Sequence, residues 1–111
     1  MVIEIDLRVT PPAVALREPD DFGAFKIVGL GRKSDREQLA HELWRIGRVS
    51  EDGHVFIAED TLLTIAGDRA REREWLASLD RMHAYARAHG WTDSTGAIRG
   101  HLEWSAYDDR A

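Results

Sequence analysis

An α+β sandwich, with helices packed on one face of a sheet, is the fold class the sequence predicts, and three observations predict it. Residues 2–10 and 97–107 alternate apolar and polar side chains, the two-residue period of a half-buried strand. Residues 68–90 repeat their apolar side chains at the helical period instead. From residue 22 onward the segments read strand, helix, strand, strand, helix, strand, an interleaving that calls for helices layered on a sheet.

The first strand is predicted over 2–10. Ile3, Ile5, Leu7 and Val9 point one way and Glu4, Asp6, Arg8 and Thr10 the other. Pro11-Pro12 stops it, because proline has no N–H to give to a ladder. Residues 13–18 read as a short extended piece with Val14 and Leu16 on one side, and 19–21 as a turn. Residues 22–30 form a second strand with apolar side chains on both faces, Phe25 and Ile27 against Ala24, Val28 and Leu30. That pattern belongs to a strand covered on both sides. The following GLGRKS lacks the spacing of a phosphate loop and is a plain strand-to-helix turn.

Ser34 and Glu37 have capping-box spacing. The helix they start buries Leu39, Leu43 and Ile46, carries Trp44 on its flank and stops at Gly47. Residues 48–58 read as a hairpin about Asp52-Gly53, which suits a type I′ turn. Residues 59–67 suit a strand or a short helix, and the acidic start with a glycine stop tips them to helix. In the helix over 68–90, Trp75, Leu79, Met82 and Ala86 form one stripe, with His83 and Tyr85 on its shoulders. Asp68 is its expected N-cap, Gly90 its stop, and Trp91 is expected to fold back near Ala86. The last strand, 97–107, sets Ile98, Gly100, Leu102 and Trp104 on one face and Arg99, His101 and Glu103 on the other.

This βαββαβ order resembles the split βαβ unit of ferredoxin-like sandwiches, here with an additional N-terminal strand. The resemblance concerns a superfold and carries no function with it. It divides the chain, a single domain over 1–111, into an N-terminal strand and Pro-containing connection (1–21), the unit itself (22–107) and a tail (108–111). In that topology the first and third strands are central and the helices cover one face. A second copy of the chain or the protein's own flanking segments would cover the other, and the second copy is the expected one, since two-fold dimers are the commonest oligomers.

At 111 residues with 43% hydrophobic and 32% charged side chains, the chain is long enough to bury a core without staples. The absence of cysteine excludes disulfides, thiolate metal sites and a cysteine nucleophile. It suits a reducing cytoplasm, and the acid-interrupted MVIEIDLRV start does not read as a signal peptide. No apolar run approaches the roughly 20 residues of a membrane span. Cations are scattered among acids at a net charge of −5, which argues against a nucleic-acid surface. Thirteen arginines against two lysines, with no asparagine, fit a GC-rich bacterial genome.

No motif identifies a reaction or a cofactor, and none is expected. Arg99, His101 and Glu103 are the best constellation for chemistry. A cation, an imidazole and a carboxylate on one wall suit anion binding or acid–base work, with Arg99 holding an anionic group and Glu103 orienting His101. His101 and Glu103 also have the spacing of two metal ligands on a strand, a weaker reading. Against all of these stands ordinary polar-out alternation on an edge strand. His83, with Asp80 one turn earlier, has the spacing of an oriented histidine, although a helix-flank histidine bonded to backbone is the commoner case. Trp44, Trp104 and Phe56 are the aromatics free to line a ligand site. Two function classes follow. One is a homodimeric module binding a small ligand or a protein through the open sheet face. The other is a small cofactor-independent enzyme of the dimeric α+β barrel kind, acting on an aromatic or apolar molecule.

Overall fold

The computed structural model describes residues 1–106. Six strands form one sheet: β1 (Val2–Asp6), β2 (Ala13–Arg17), β3 (Lys26–Gly31), β4 (Gly47–Val49), β5 (His54–Ile57) and β6 (Ile98–Ala106). Three helices, α1 (Arg36–Ile46), α2 (Glu59–Ala66) and α3 (Arg73–Ala88), pack on one face. The core joins Ile3, Ile5, Ile27, Val55, Ile57 and Ile98 of the sheet to Leu39 and Leu43 of α1, Leu62 of α2, and Trp75, Leu79, Met82 and Ala86 of α3. Each such aliphatic side chain contributes about 1.5–3 kcal/mol by leaving water. From β3 onward the elements keep the expected βαββαβ order with helices on one side, with α2 as an insertion, so the fold is the α+β two-layer sandwich.

The strand order across the sheet is β2-β1-β3-β6-β5-β4. β3 and β5 are interior, as their two-faced apolar patterns require, but β6 lies between them. It runs parallel to β3 and antiparallel to β5. Small-against-large packing explains that placement. A Cβ at Gly29 of β3 would sit 2.8 Å from Leu39 Cδ2 and 3.0 Å from the Trp104 ring. A Cβ at Gly100 of β6 would collide with Ile27 Cδ1 and sit 3.0 Å from the Phe25 ring. Each strand therefore carries a glycine where its neighbour's large side chain crosses it. Arg99, His101 and Glu103 consequently stand on an interior strand, not on an edge. β1 is interior as well, parallel to β3, and β2 takes the edge beside it.

Several element ends differ from their sequence expectation, each for a local reason. β1 stops at Asp6, whose carboxylate accepts the Arg8 N–H and pairs with the Arg8 guanidinium, turning the chain and leaving Val9 exposed. β3 begins at Lys26, since 22–25 are a turn and an irregular stretch outside the ladder. At α1 the Ser34–Glu37 box does not form; Asp35 accepts the Arg32 N–H at 2.8 Å across a preceding turn of 3₁₀ helix. Residues 67–71 are likewise 3₁₀, and α3 starts after Glu72 instead of at Asp68. Its buried stripe is the expected one. At its far end Gly90 adopts φ 73°, Trp91 N–H donates to Ala86 and Gly90 N–H to Arg87, a Schellman closure. Asp52 has no positive φ while Gly53 has φ 84°, so the β4–β5 turn is not type I′. The expected tail at 108–111, with Tyr107, lies outside the described residues.

Candidate functional site

A cleft of about 340 Å³ opens where residues 22–25 approach the C-terminal half of α3 and the start of β6. Its walls are Phe22, Phe25, Met82, Tyr85, Trp91 and Ile98, with Arg99 beside them. Each wall is fixed by its own contacts. The Met1 amino group donates to the carbonyls of Asp21 and Ala24 at 2.7 and 2.9 Å. Trp75 Nε1 donates to the Pro19 carbonyl at 2.8 Å, and its ring lies 6.0 Å from that of Phe22. These bonds hold the 22–25 segment against α3. On the opposite side the Schellman closure folds Trp91 back, and Arg99 N–H donates to the Trp91 carbonyl at 2.8 Å.

An aromatic ladder borders the same cleft. The His89 ring stacks on Tyr85 at 4.1 Å and on Trp91 at 4.8 Å, and Tyr85 is 58% exposed. An exposed stack of this kind presents aromatic faces and edges to whatever enters. The Arg99 guanidinium has no hydrogen-bond or ion-pair partner among the described residues, an unusual state for a half-buried cation.

The face of the sheet away from the helices carries most of the residues expected from sequence. Phe56 and Arg99 are cross-strand partners, as are His54 and His101. The two imidazoles meet edge to face at 6.1 Å. His54 Nδ1 lies 3.1 Å from Asp52 Oδ1, an ion-pair separation without hydrogen-bond alignment. The Ser50 hydroxyl, with His54 second, holds the Asp52 carboxyl down at about 2. Glu103 pairs with Lys26 Nζ at 3.1 Å instead of orienting His101. The Arg48 guanidinium lies over the Phe56 ring at 4.4 Å, which occupies the aromatic face expected to meet a ligand. Val28 and Leu30 of β3 add half-exposed apolar surface to this face. His54 and Asp52 were missed as candidates, and the Asp-x-His spacing across the turn was their available signal.

The remaining candidates lie apart. Trp44 is 69% exposed on α1. Trp104 packs on the core side, with its Nε1 buried and unpartnered. His83 is buried on α3, and Asp80 does not hydrogen-bond to it: neither ring nitrogen has a partner. Of the sequence-expected candidates, Arg99 alone lines the aromatic cleft. The cleft itself was illegible because its aromatics come from segments about sixty residues apart, although Tyr85 on the helix shoulder and the folding back of Trp91 gave half of it. Among the described residues no group of three or more His, Asp or Glu side chains is arranged to hold a metal ion, and no helix is long and apolar enough to cross a membrane. No protein-family model, curated protein or solved structure matches the chain.

Proposed function

We propose that this chain is a binding module for a small aromatic or apolar molecule that carries one negative group. The observation that carries the reading is the aromatic-walled cleft with Arg99 in its lining, a cation whose guanidinium has no partner among the described residues. Its volume lies at the small end of ligand sites, which suits a compound of one or two rings. Ring contacts with Trp91, Tyr85 and Phe25 supply apolar burial and about 0.5–1.5 kcal/mol per well-placed aromatic pair. Arg99 supplies a charge-assisted hydrogen bond to the anionic group, which selects among ligands of equal shape.

The test is a titration of the purified protein with naphthoate and with its uncharged methyl ester, followed by tryptophan fluorescence. Saturable naphthoate binding is expected, with Arg99→Met weakening it about tenfold, or about 1.4 kcal/mol, and leaving the ester unaffected. Failure of naphthoate to bind, or equal affinity in Arg99→Met, sinks the reading.

Self-association through the open sheet face is the second part of the proposal. It rests on Val28, Leu30 and Phe56, which project from a face that no helix among the described residues covers. The enzyme alternative would use His101 with His54 beside it. His101 is exposed and lies outside the cleft, so the binding reading has the stronger support.

A further inference from the structure

A second cavity, of about 420 Å³, lies between the first turn of α2, the C-terminal half of α3 and residues 95–96. Glu59, Asp60 and Leu63 form one wall, His83 and Arg87 another, and Thr95 and Gly96 close the side. It shares no lining residue with the aromatic cleft. Two independent features of it point to a ligand.

The first is His83. The residue is 7% exposed, and both ring nitrogens are closed to solvent and without a hydrogen-bond partner. A buried polar atom left unpaired costs about 1–3 kcal/mol, so such atoms are rare without a use. The second is the distribution of charge. His83 and Arg87 are one turn apart on α3, which puts them on the same side of that helix. Across the cavity, Glu59 and Asp60 begin α2. The Asp60 carboxylate accepts the Thr61 N–H at 2.8 Å, while the Glu59 carboxylate and the Arg87 guanidinium have no ion-pair or hydrogen-bond partner among the described residues. Opposite charges thus stand on two walls of one cavity without meeting, and the space between them is where a molecule with both charges fits.

We propose that this cavity binds a small zwitterion of the α-amino-acid class. The ammonium group lies toward Glu59 and Asp60, and the carboxylate lies toward Arg87. The His83 imidazole turns about its ring bond to give one nitrogen a polar partner on the ligand. Leu63 bounds the space left for the ligand side chain. Because three kinds of group are used, a molecule with a single charge satisfies one wall and leaves the other unpaired.

The experiment follows the histidine ring resonances by NMR while the full chain is titrated separately with glycine, alanine, glutamate and lysine, and with acetate and methylammonium as single-charge controls. Saturable movement of the His83 signals with at least one amino acid, and not with either control, is expected. Glu59→Gln and Arg87→Gln, both at exposed positions, each weaken that binding about tenfold or more. His83→Met keeps a side chain of similar bulk in place of the buried ring and, with the fold checked by circular dichroism, loses binding. Arg99→Met leaves it unchanged, which separates this site from the aromatic cleft. The proposal is overturned if no amino acid moves the His83 signals, if acetate or methylammonium moves them equally, or if the Glu59 and Arg87 variants bind like the parent.

Discussion

Asp93 shows how one residue sets the loop that carries the chain into β6. Its carboxylate accepts the Thr95 hydroxyl at 2.6 Å and the N–H groups of Thr95 and Ala97 at 2.9 and 3.0 Å, and Arg48 Nη2 stands 3.3 Å away. The Thr95 hydroxyl leads these in holding the acid at about 2, well below its ordinary 3.8. A group depressed on folding stabilises the fold above its unfolded pKa and loses that contribution as the pH falls through its folded one. The stabilisation from Asp93 is therefore complete above about pH 5 and is lost as the pH falls toward about 2. Thermal melts of the parent and of Asp93→Asn should differ most near neutrality, with the parent higher, and converge at the acid end. A gap that stays constant across that range removes the carboxylate's charge from the explanation. Asp52, held low chiefly by the Ser50 hydroxyl, titrates in the same window in both proteins and cancels from the comparison.

At the scale of elements, the junction of α1 with β4 leaves no room for a side chain. α1 ends at Ile46 and β4 begins at Gly47, with no residue between them. A Cβ at Gly47 would collide with the carbonyl oxygen of Phe56 and lie 2.8 Å from Ile57 Cδ1. The carbonyl belongs to the β4–β5 ladder and cannot move aside as a flexible side chain can. Gly47→Ala should destabilise the fold by about 1–3 kcal/mol in urea unfolding, the usual range for overpacking. An unchanged midpoint would show that the hairpin slides away from α1 at little cost. The element scale is also where the sequence was most legible. The α3 stripe, the Gly90 closure and the faces of β6 follow from periodicity, because burial there obeys a local repeat. The start of α3 does not, since residues 67–71 satisfy the same pattern in 3₁₀ form, and nothing local marks Glu72 as the break.

For the whole molecule, what the sequence concealed is long-range. The pairing of β3 with β6 joins residues about seventy-five apart, and its determinants are two glycines, Gly29 and Gly100, whose meaning appears only against Leu39, Ile27 and Phe25. The open face was legible as a face, and Arg99, His101 and Glu103 do share it, but its ion pairs were not. Glu4 with Arg17 and Glu103 with Lys26 satisfy charges within one copy of the chain, so a second copy gains most from covering Val28, Leu30 and Phe56. Those three side chains set the expected strength of association. Sedimentation equilibrium over a range of micromolar concentrations should show a reversible monomer–dimer equilibrium. Leu30→Glu replaces an apolar side chain of that face with a carboxylate on each copy, which association would have to strip of water, so it should shift the equilibrium to monomer. The same substitution should leave the monomer's unfolding free energy in urea within about 0.5 kcal/mol of the parent's, because the position is a half-exposed one outside the core. A parent protein that sediments as a monomer throughout ends the homodimer proposal. A dimer that survives Leu30→Glu moves the interface off the sheet face, where the exposed Trp44 of α1 is the next apolar surface to probe.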